Sequence, residues 1–242
     1  MNLAASMLIM FAAACLQGLT GFGYSLMSLP LLALFMPVSV VVPMLSLTSI
    51  FLNLIVFLKA RKWADLRRIL PLVLAGVVSI PGGVWILRHA DEALLRIIIG
   101  VLVALSATLY LTGFRIRIRR EKLALIPTGI LSGLMNGATT FSGPPVILFL
   151  ANQQVEKQVF RANLALYFLL LNIAAVPVFV AGGFLTAETV METALRFPSV
   201  MVGVMLGIRF AGRIDEMRFR RVSLIMLALL GLISTASGVG IL

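Results

Sequence analysis

The chain has 242 residues, of which 61% are hydrophobic and only 12% are charged, and its mean hydropathy is +1.10. An ordinary soluble domain carries about twice that share of charged residues, so the polar residues here are too few to cover its surface. The composition excludes a water-soluble protein and predicts a membrane protein. The net charge of +11 would suggest nucleic acid as a partner of a soluble protein. In a membrane protein positive charge collects in cytoplasmic loops, so we expect no nucleic-acid partner.

Cysteine and histidine are too scarce for several kinds of site. Cys15 and His89 are single, which excludes an internal disulfide and a clustered metal site. The sequence also lacks a nucleotide-binding glycine loop and a Gly-x-Ser-x-Gly motif. We therefore expect no enzyme activity, no catalytic residues, no metal and no cofactor. Cys15 follows three alanines, as in a lipoprotein signal, but no Lys or Arg precedes it, so we take residue 1 onward as mature membrane protein.

The first half of the chain begins with a long uncharged stretch that ends at Lys59. One membrane crossing needs about 20 residues, so this stretch must fold back on itself. It predicts a hairpin over residues 1–36 and a span over 38–58, and later uncharged runs predict spans at 69–87 and 97–114. The residues that break the first stretch are Gly18, Gly21, Gly23, Pro30, Pro37 and Pro43.

The second half follows the same plan, with a hairpin over 123–150 and spans at 162–182, 196–212 and 222–241. Short matches between the halves occur at slowly rising offsets of 115, 119 and 124 residues, as a duplicated unit with small insertions would leave. Chance similarity among apolar stretches is the alternative. We predict an all-α transmembrane bundle of two inverted repeats, 1–122 and 123–242, with about eight or more membrane segments. The matches are Leu16-Gln-Gly18 with Leu131-Ser-Gly133, Leu52-Asn-Leu54 with Leu171-Asn-Ile173, and Ala90-Asp-Glu92 with Ile214-Asp-Glu216, and the breakers of the second hairpin are Gly133, Gly137, Gly143, Pro144 and Pro145.

The distribution of Lys and Arg distinguishes two topologies. If each hairpin enters and leaves on one side, the loops at 59–68, 115–122, 151–161 and 209–221 share a face and hold 17 of the 20 basic residues. If each broken segment crosses once, the same loops divide between the two faces. The first arrangement agrees better with the positive-inside rule. It places both termini outside and inverts the two halves, a recurring plan of secondary transporters.

Small and polar residues cluster at both breaks. Irregular backbone at membrane depth is tolerated only where protein or a watered cavity satisfies it. Ser142 before Pro144 and Pro145 predicts an N-cap, and the free N–H groups of the helix that follows would suit an anion. Close helix packing explains any single glycine better, but two matching clusters indicate a substrate site. The candidates are Thr20, Gly21, Gly23, Ser25, Asn136, Gly137, Thr139, Thr140, Ser142 and Gly143.

Three residues inside the predicted spans are further candidates for binding the anion. Asn53 and Asn172 occupy equivalent positions, and each either hydrogen-bonds a neighbouring helix or contacts the ligand. Arg209 either extends its side chain to the cytoplasmic surface or attracts the anion. The basic run at 115–122 is expected to anchor the chain to anionic lipid.

Both breaks resemble the signature segments of the sulfite exporter TauE/SafE family. The first is Gly18-Leu-Thr-Gly-Phe-Gly23 followed by Ser28-Leu-Pro-Leu-Leu32, and the second is Gly129-Ile-Leu-Ser-Gly-Leu-Met-Asn-Gly137 followed by Ser142-Gly-Pro-Pro145. The layout is similar over essentially the whole chain, and Arg161–Asn172 resembles the segment after the second signature. The resemblance implies a bacterial inner-membrane permease for sulfur-containing anions such as sulfite, sulfoacetate or another organosulfonate.

We therefore expect a multi-pass secondary transporter, an exporter of a small sulfur-containing anion. The alternative is a membrane-embedded partner or assembly subunit without transport of its own, although a scaffold has no need to interrupt two helices at equivalent places. The expected partners are the anionic substrate and the lipid bilayer, and a homo-oligomer is compatible with the sequence. The coupling ion is left open.

Overall fold

The computed structural model describes residues 3–111, 121–152 and 156–210, and every regular element within them is helical. The all-α prediction is confirmed for this part of the chain. A 3₁₀ turn at Arg61–Trp63 connects the third and fourth helices. The α-helices in chain order are α1 (Leu3–Thr20), α2 (Tyr24–Ala33), α3 (Val38–Ala60), α4 (Leu66–His89), α5 (Glu92–Leu111), α6 (Glu121–Thr139), α7 (Gly143–Asn152), α8 (Lys157–Ala181) and α9 (Ala187–Phe210).

Five of the described helices, α1, α3, α4, α8 and α9, are long and apolar enough to cross a bilayer. By contrast, α2 and α7 have ten residues each. At 1.5 Å per residue such helices reach only about halfway through a hydrocarbon core of about 30 Å. Each therefore forms the short arm of a hairpin, with α1 or α6 as the long arm. The predicted span at 222–241 lies outside the described residues.

Helix α9 begins earlier than predicted, at Ala187 instead of residue 196. The prediction excluded the charged residues before position 196 from the span, because charge at membrane depth is costly. In the structure Glu192 and Arg196 form an ion pair one helical turn apart, and Arg196 Nε also donates to Ser6 Oγ at 2.7 Å. Because these charges are paired within the helix and with α1, the helix continues through them.

The two chain breaks, at residues 21–23 and 140–142, are narrower than the sequence indicated. Gly18, Gly133 and Gly137 were expected to interrupt their helices, but each lies inside one. A Cβ at any of them would collide with the backbone of a neighbouring helix. These three glycines therefore serve close helix packing, as small residues commonly do in membranes. Two prolines predicted as breakers, Pro30 and Pro43, also lie within helices.

Two long helix pairs form the outer parts of the bundle, α1 with α9 and α4 with α6. In the first pair, Gly203 lies against the backbone of Phe11 and Gly207 against that of Cys15. In the second pair, Gly129 lies against Leu72 and Gly137 against Ile80. Residue numbers rise together along both contacts, so the helices of each pair run parallel. Each hairpin thus packs on a helix that is distant from it in sequence.

Helices α3 and α8 pack against each other at the centre of the bundle. Ser46 Oγ on α3 donates to Asn172 Oδ1 on α8 at 3.0 Å, and the backbone N of Asp65, which follows α3 and its 3₁₀ turn, donates to Asn163 Oδ1 at 2.8 Å. Residue numbers rise on one helix while they fall on the other, so the pair is antiparallel. Two inverted repeats would produce this arrangement of their corresponding helices.

The interior of the bundle is a largely apolar core that also contains buried polar side chains, and much of its exterior is apolar. Leu8, Val78 and Trp85 expose 67%, 79% and 62% of their surface. Side chains such as Asn53, Asn136 and Asn172 are buried inside. Large exposed apolar side chains on many helices agree with lipid as the surrounding solvent.

Candidate functional site

The two breaks begin with the same backbone geometry. Gly21 N donates to Gln17 O in the first, and Thr140 N donates to Asn136 O in the second, both at 2.7 Å. Gly21 and Thr140 both have a positive φ, 89° and 52° respectively, which ends the preceding helix in a left-handed turn. Glycine adopts this conformation freely, whereas for a β-branched residue such as threonine it is strained.

The threonine before each turn also makes matching contacts. The hydroxyl of Thr20 donates to Leu16 O at 2.9 Å and accepts from Phe22 N at 3.3 Å. Thr139 repeats both contacts at 2.8 and 3.3 Å. The breaks therefore correspond at an offset of 119 residues, which replaces the offset of 115 that the sequence suggested for this segment. Gln17 then corresponds to Asn136, and Asn53 and Asn172 correspond at the same offset.

A cavity of about 50 Å³ lies between the two breaks. On this measure one water molecule needs roughly 10 to 15 Å³, so the cavity has room for a small ion. Residues of both hairpins, α3 and α8 form its wall, which places seven of the thirteen candidate residues around one space. These seven are Gly23, Ser25, Asn53, Thr140, Ser142, Gly143 and Asn172.

Four of the other candidates lie at the breaks but outside the cavity wall. The hydroxyls of Thr20 and Thr139 are bonded to the ends of their own helices, as described above. Gly21 faces the side chain of Arg161, and Gly137 faces the backbone of α4. Thr20, Thr139 and Gly21 therefore shape the breaks, whereas Gly137 allows α6 to pack closely on α4.

The last two candidates, Asn136 and Arg209, also lie outside the cavity wall. Asn136 is fully buried behind the second break, next to Ser142. Arg209 is exposed near the end of α9, where it lines a shallow surface cavity with Lys59. The structure therefore separates Arg209 from the space between the breaks, in agreement with the alternative that its side chain extends to the membrane surface.

Asn53 and Asn172 each link two helices while facing the cavity. Asn53 Nδ2 donates to Ser49 O at 2.8 Å, and its Oδ1 accepts from Gln17 Nε2 at 2.9 Å. Asn172 Nδ2 donates to Phe168 O at 2.7 Å, and its Oδ1 accepts from Ser46 Oγ at 3.0 Å. The helix-linking role of both amides is therefore present in the structure.

The second break presents donors to the cavity. Helix α7 begins at Gly143, which places Ser142 at the predicted N-cap position and Pro144 and Pro145 in the first turn. Ser142 Oγ accepts from Asn136 Nδ2 at 3.4 Å, so its own hydrogen is available to a ligand. Together with the N–H of Gly143 and the positive end of the helix dipole, this hydroxyl suits an anion.

The family model described as Sulfite exporter TauE/SafE matches residues 6–233, nearly the whole chain. The chain belongs to the sulfite exporter TauE/SafE family. Comparisons with curated proteins and with solved structures give no match. Membership of the TauE/SafE family makes the protein a multi-pass membrane transporter for sulfur-containing anions. The resemblance that the two breaks carried in the sequence is thereby confirmed.

None of the residues found around the cavity of this TauE/SafE transporter is charged. The nearest described cation to the first break is Arg161, whose Nη2 donates to Gly18 O at 2.6 Å outside the cavity wall. A buried Arg or Lys would hold an anion tightly, whereas neutral donors contribute about 0.5 to 1.5 kcal/mol each. The wall is therefore suited to an ion that must also leave.

Several residues of this TauE/SafE cavity were not selected from the sequence. Gln17 was not selected, because the alignment of its segment at an offset of 115 paired it with Ser132. The offset of 119 between Asn53 and Asn172 was the signal that pairs Gln17 with Asn136. Ser49 lies one helical turn before Asn53, on the same face of α3. The apolar part of the wall is formed mainly by Phe22, Phe141, Ile147 and Phe168.

Proposed function

We propose that this protein is a secondary transporter that exports a small sulfur oxyanion, sulfite or a short organosulfonate, across the bacterial inner membrane. The observation that carries the proposal is the cavity between the two breaks, whose wall combines neutral hydrogen-bond donors from both hairpins. The ligand would rest on Ser142 and Gly143 at one side and on Ser25 at the other. Asn53 and Asn172 would contribute amide groups that already link the helices around it.

Alternating access through inverted repeats is the proposed mechanism. Three features support it: the matched breaks, the antiparallel α3–α8 pair, and the packing of each hairpin on a helix from the other half of the chain, α1 on α9 and α6 on α4. In transporters of this plan, one repeat rocks against the other around a binding site near the middle of the membrane. The basic loops at 59–68, 115–122, 151–161 and 209–221 would face the cytoplasm, with both termini outside.

Thr140 is expected to matter less than Ser142 for binding the anion. Its hydroxyl already donates to Thr139 O at 2.6 Å, so its hydrogen is not available to a ligand in this conformation. Ser142, by contrast, only accepts from Asn136 through its side chain. Both hydroxyls lie in the cavity wall, but only that of Ser142 has a hydrogen available to a ligand. Substitutions at the two positions can therefore be compared directly in binding assays.

The alternative function, a membrane-embedded partner without transport, is less well supported. A scaffold gains nothing from a polar cavity inside the bilayer, where each unsatisfied polar group costs free energy. The polar cavity lined by both breaks favours transport.

Flux of labelled sulfite into proteoliposomes tests the proposal. Ser142→Ala should weaken the apparent affinity for sulfite by roughly 5- to 150-fold, because removing one donor from a desolvated site costs about 1 to 3 kcal/mol. Ser199→Ala is the control, since the hydroxyl of Ser199 donates to Arg196 O, away from the cavity. Equal flux and affinity in the wild type and Ser142→Ala would show that the cavity does not bind the substrate.

A further inference from the structure

One of the differences between the two breaks lies at the corresponding positions Gln17 and Asn136. Gln17 is 3% exposed, and its carboxamide makes two hydrogen bonds. Oε1 accepts from the backbone N of Tyr24, the first residue of α2, at 3.1 Å. Nε2 donates to Asn53 Oδ1 at 2.9 Å. The side chain of Gln17 thus satisfies the start of α2, as a bound ligand would.

Asn136 does not do the same at the second break. Its side chain is one methylene shorter, and it contacts Ser142 Oγ at 3.4 Å. Its Oδ1 has no hydrogen-bond partner, although Asn136 is fully buried. Among the described residues, no side chain accepts a hydrogen bond from the N–H of Gly143, which begins α7. The first N–H of α2 is therefore bonded to a side chain, whereas the corresponding N–H of α7 is not bonded to a side chain of the described residues.

From this difference we infer that Gln17 determines the specificity of the proposed transport site, because its carboxamide occupies at the first break the place that the second break leaves to the anion. The inference rests on the proposed function. The oxygens of the ligand bind at the α7 side, to Ser142 and Gly143. At the α2 side, the carboxamide of Gln17 limits the length of the organic substituent that the sulfur atom of the ligand can carry.

The size of the cavity agrees with a short ligand. With about 50 Å³ available, a compact ion such as sulfite fits, while sulfoacetate needs further room for its carboxymethyl group. Truncating Gln17 to alanine removes a group of about the size of the ion and frees the N–H of Tyr24. That N–H could then donate a hydrogen bond to the carboxylate of sulfoacetate, which the positive end of α2 would also attract.

Competition against labelled sulfite flux in proteoliposomes tests the inference, with unlabelled sulfite, methanesulfonate, taurine and sulfoacetate as competitors. In the wild type, sulfite should compete best and sulfoacetate worst. In Gln17→Ala the inhibition constant for sulfoacetate should fall about tenfold or more relative to that for sulfite, as expected for one new hydrogen bond to a charged group. Gln17→Asn, which reproduces the residue at the second break, should shift the preference in the same direction.

Gln158→Ala is the matched control, because Gln158 lies in the first turn of α8 and not in the cavity wall. It should keep the wild-type order of competitors. If Gln17→Ala does not fold, Gln17→Asn carries the test, read out by the protection that sulfite and sulfoacetate give against thermal unfolding in detergent. An unchanged order of competitors in a folded Gln17 variant that still transports sulfite overturns the inference and leaves the proposed function in place. Absence of sulfite and sulfonate transport in the wild type overturns the proposed function, and the inference with it.

Discussion

The guanidinium of Arg161, one turn into α8, donates a hydrogen bond to the carbonyl oxygen of Gly18 near the end of α1. The aliphatic part of the same side chain lies against Gly21, where a Cβ would come within 2.8 Å of Arg161 Cγ. The last carbonyls of a helix lack partners within it and carry partial negative charge, so a cation is favourable there. Arg161 therefore fixes the first break to α8.

Arg161→Met keeps most of the packing against Gly21 but removes the donor. We expect it to lower the free energy of unfolding by about 1 to 3 kcal/mol, because a hydrogen bond from a charged group is lost in a half-buried place. Thermal unfolding of the purified protein in detergent measures the effect. Arg88→Met, at an exposed position near the end of α4, is the control and should unfold at the wild-type temperature. Equal unfolding temperatures for the two variants would contradict the anchoring role.

Adjacent glycines on α4 offer a sharp test of helix packing. At Gly83 a Cβ would collide with the backbone of Leu134 and Ala138 on α6, whereas at Gly82 it would meet only the end of the Leu134 side chain. Gly83→Ala should destabilise the protein by about 1 to 3 kcal/mol through overpacking. Gly82→Ala should be neutral or slightly stabilising, because alanine favours the helix. The same unfolding assay applies, and the prediction fails if the two substitutions have the same effect.

Thr140 is strained where its counterpart Gly21 is not. A left-handed conformation costs a non-glycine residue about 1 to 2 kcal/mol. Thr140→Gly should therefore raise the unfolding temperature, because relief of this strain exceeds the cost of about 0.4 to 1 kcal/mol from the greater freedom of glycine in the unfolded chain. Thr139→Gly is the comparison, since Thr139 is helical and its hydroxyl holds the turn; it should lower stability. Sulfite flux of Thr140→Gly should stay near the wild-type value, because the Thr140 hydroxyl donates to the backbone. A large loss of flux at unchanged stability would show that the strain itself serves transport.

Topology can be tested at positions that the structure places at opposite ends of α8. The start of α8 lies beside Asp65, close to Lys62, while its end leads to Ala187 at the start of α9. In a Cys15→Ala background, Ala187→Cys should react with a membrane-impermeant maleimide in intact spheroplasts. Lys62→Cys should react only after the membrane is permeabilised. The reverse pattern would mean that the basic loops face outward.

The sequence predicted the helices well where charge or chain-breaking residues mark their ends. It predicted the start of α3 after Pro37 and the start of α7 after Ser142 because proline and an N-cap serine act locally. It misplaced the start of α9, since the pairing of Arg196 with Glu192 and Ser6 depends on a helix at the other end of the chain. Helix starts that depend on neighbouring residues could be predicted from the sequence, whereas contacts between distant helices could not.

The candidate site shows the same division. Ser142 and Gly143 were predicted from the chemistry of a helix start, and Asn53 and Asn172 from their equivalent positions, and all four line the cavity. The direction of a hydroxyl could not be read from the sequence, so Thr20 was selected although its hydroxyl satisfies its own helix end. The role of Gln17 depends on reaching Tyr24 N and Asn53 at once, which only the folded hairpin brings about.

The pairing of α1 with α9 has a consequence for how the protein is made. Helix α1 is synthesised well before α9, because the glycines that contact it, Gly203 and Gly207, come some 190 residues later. Until α9 is inserted, the face of α1 that contains Ala14 and Gly18 has only lipid or the insertion machinery to contact. This face of α1 therefore lacks its protein partner until some 190 further residues have been translated.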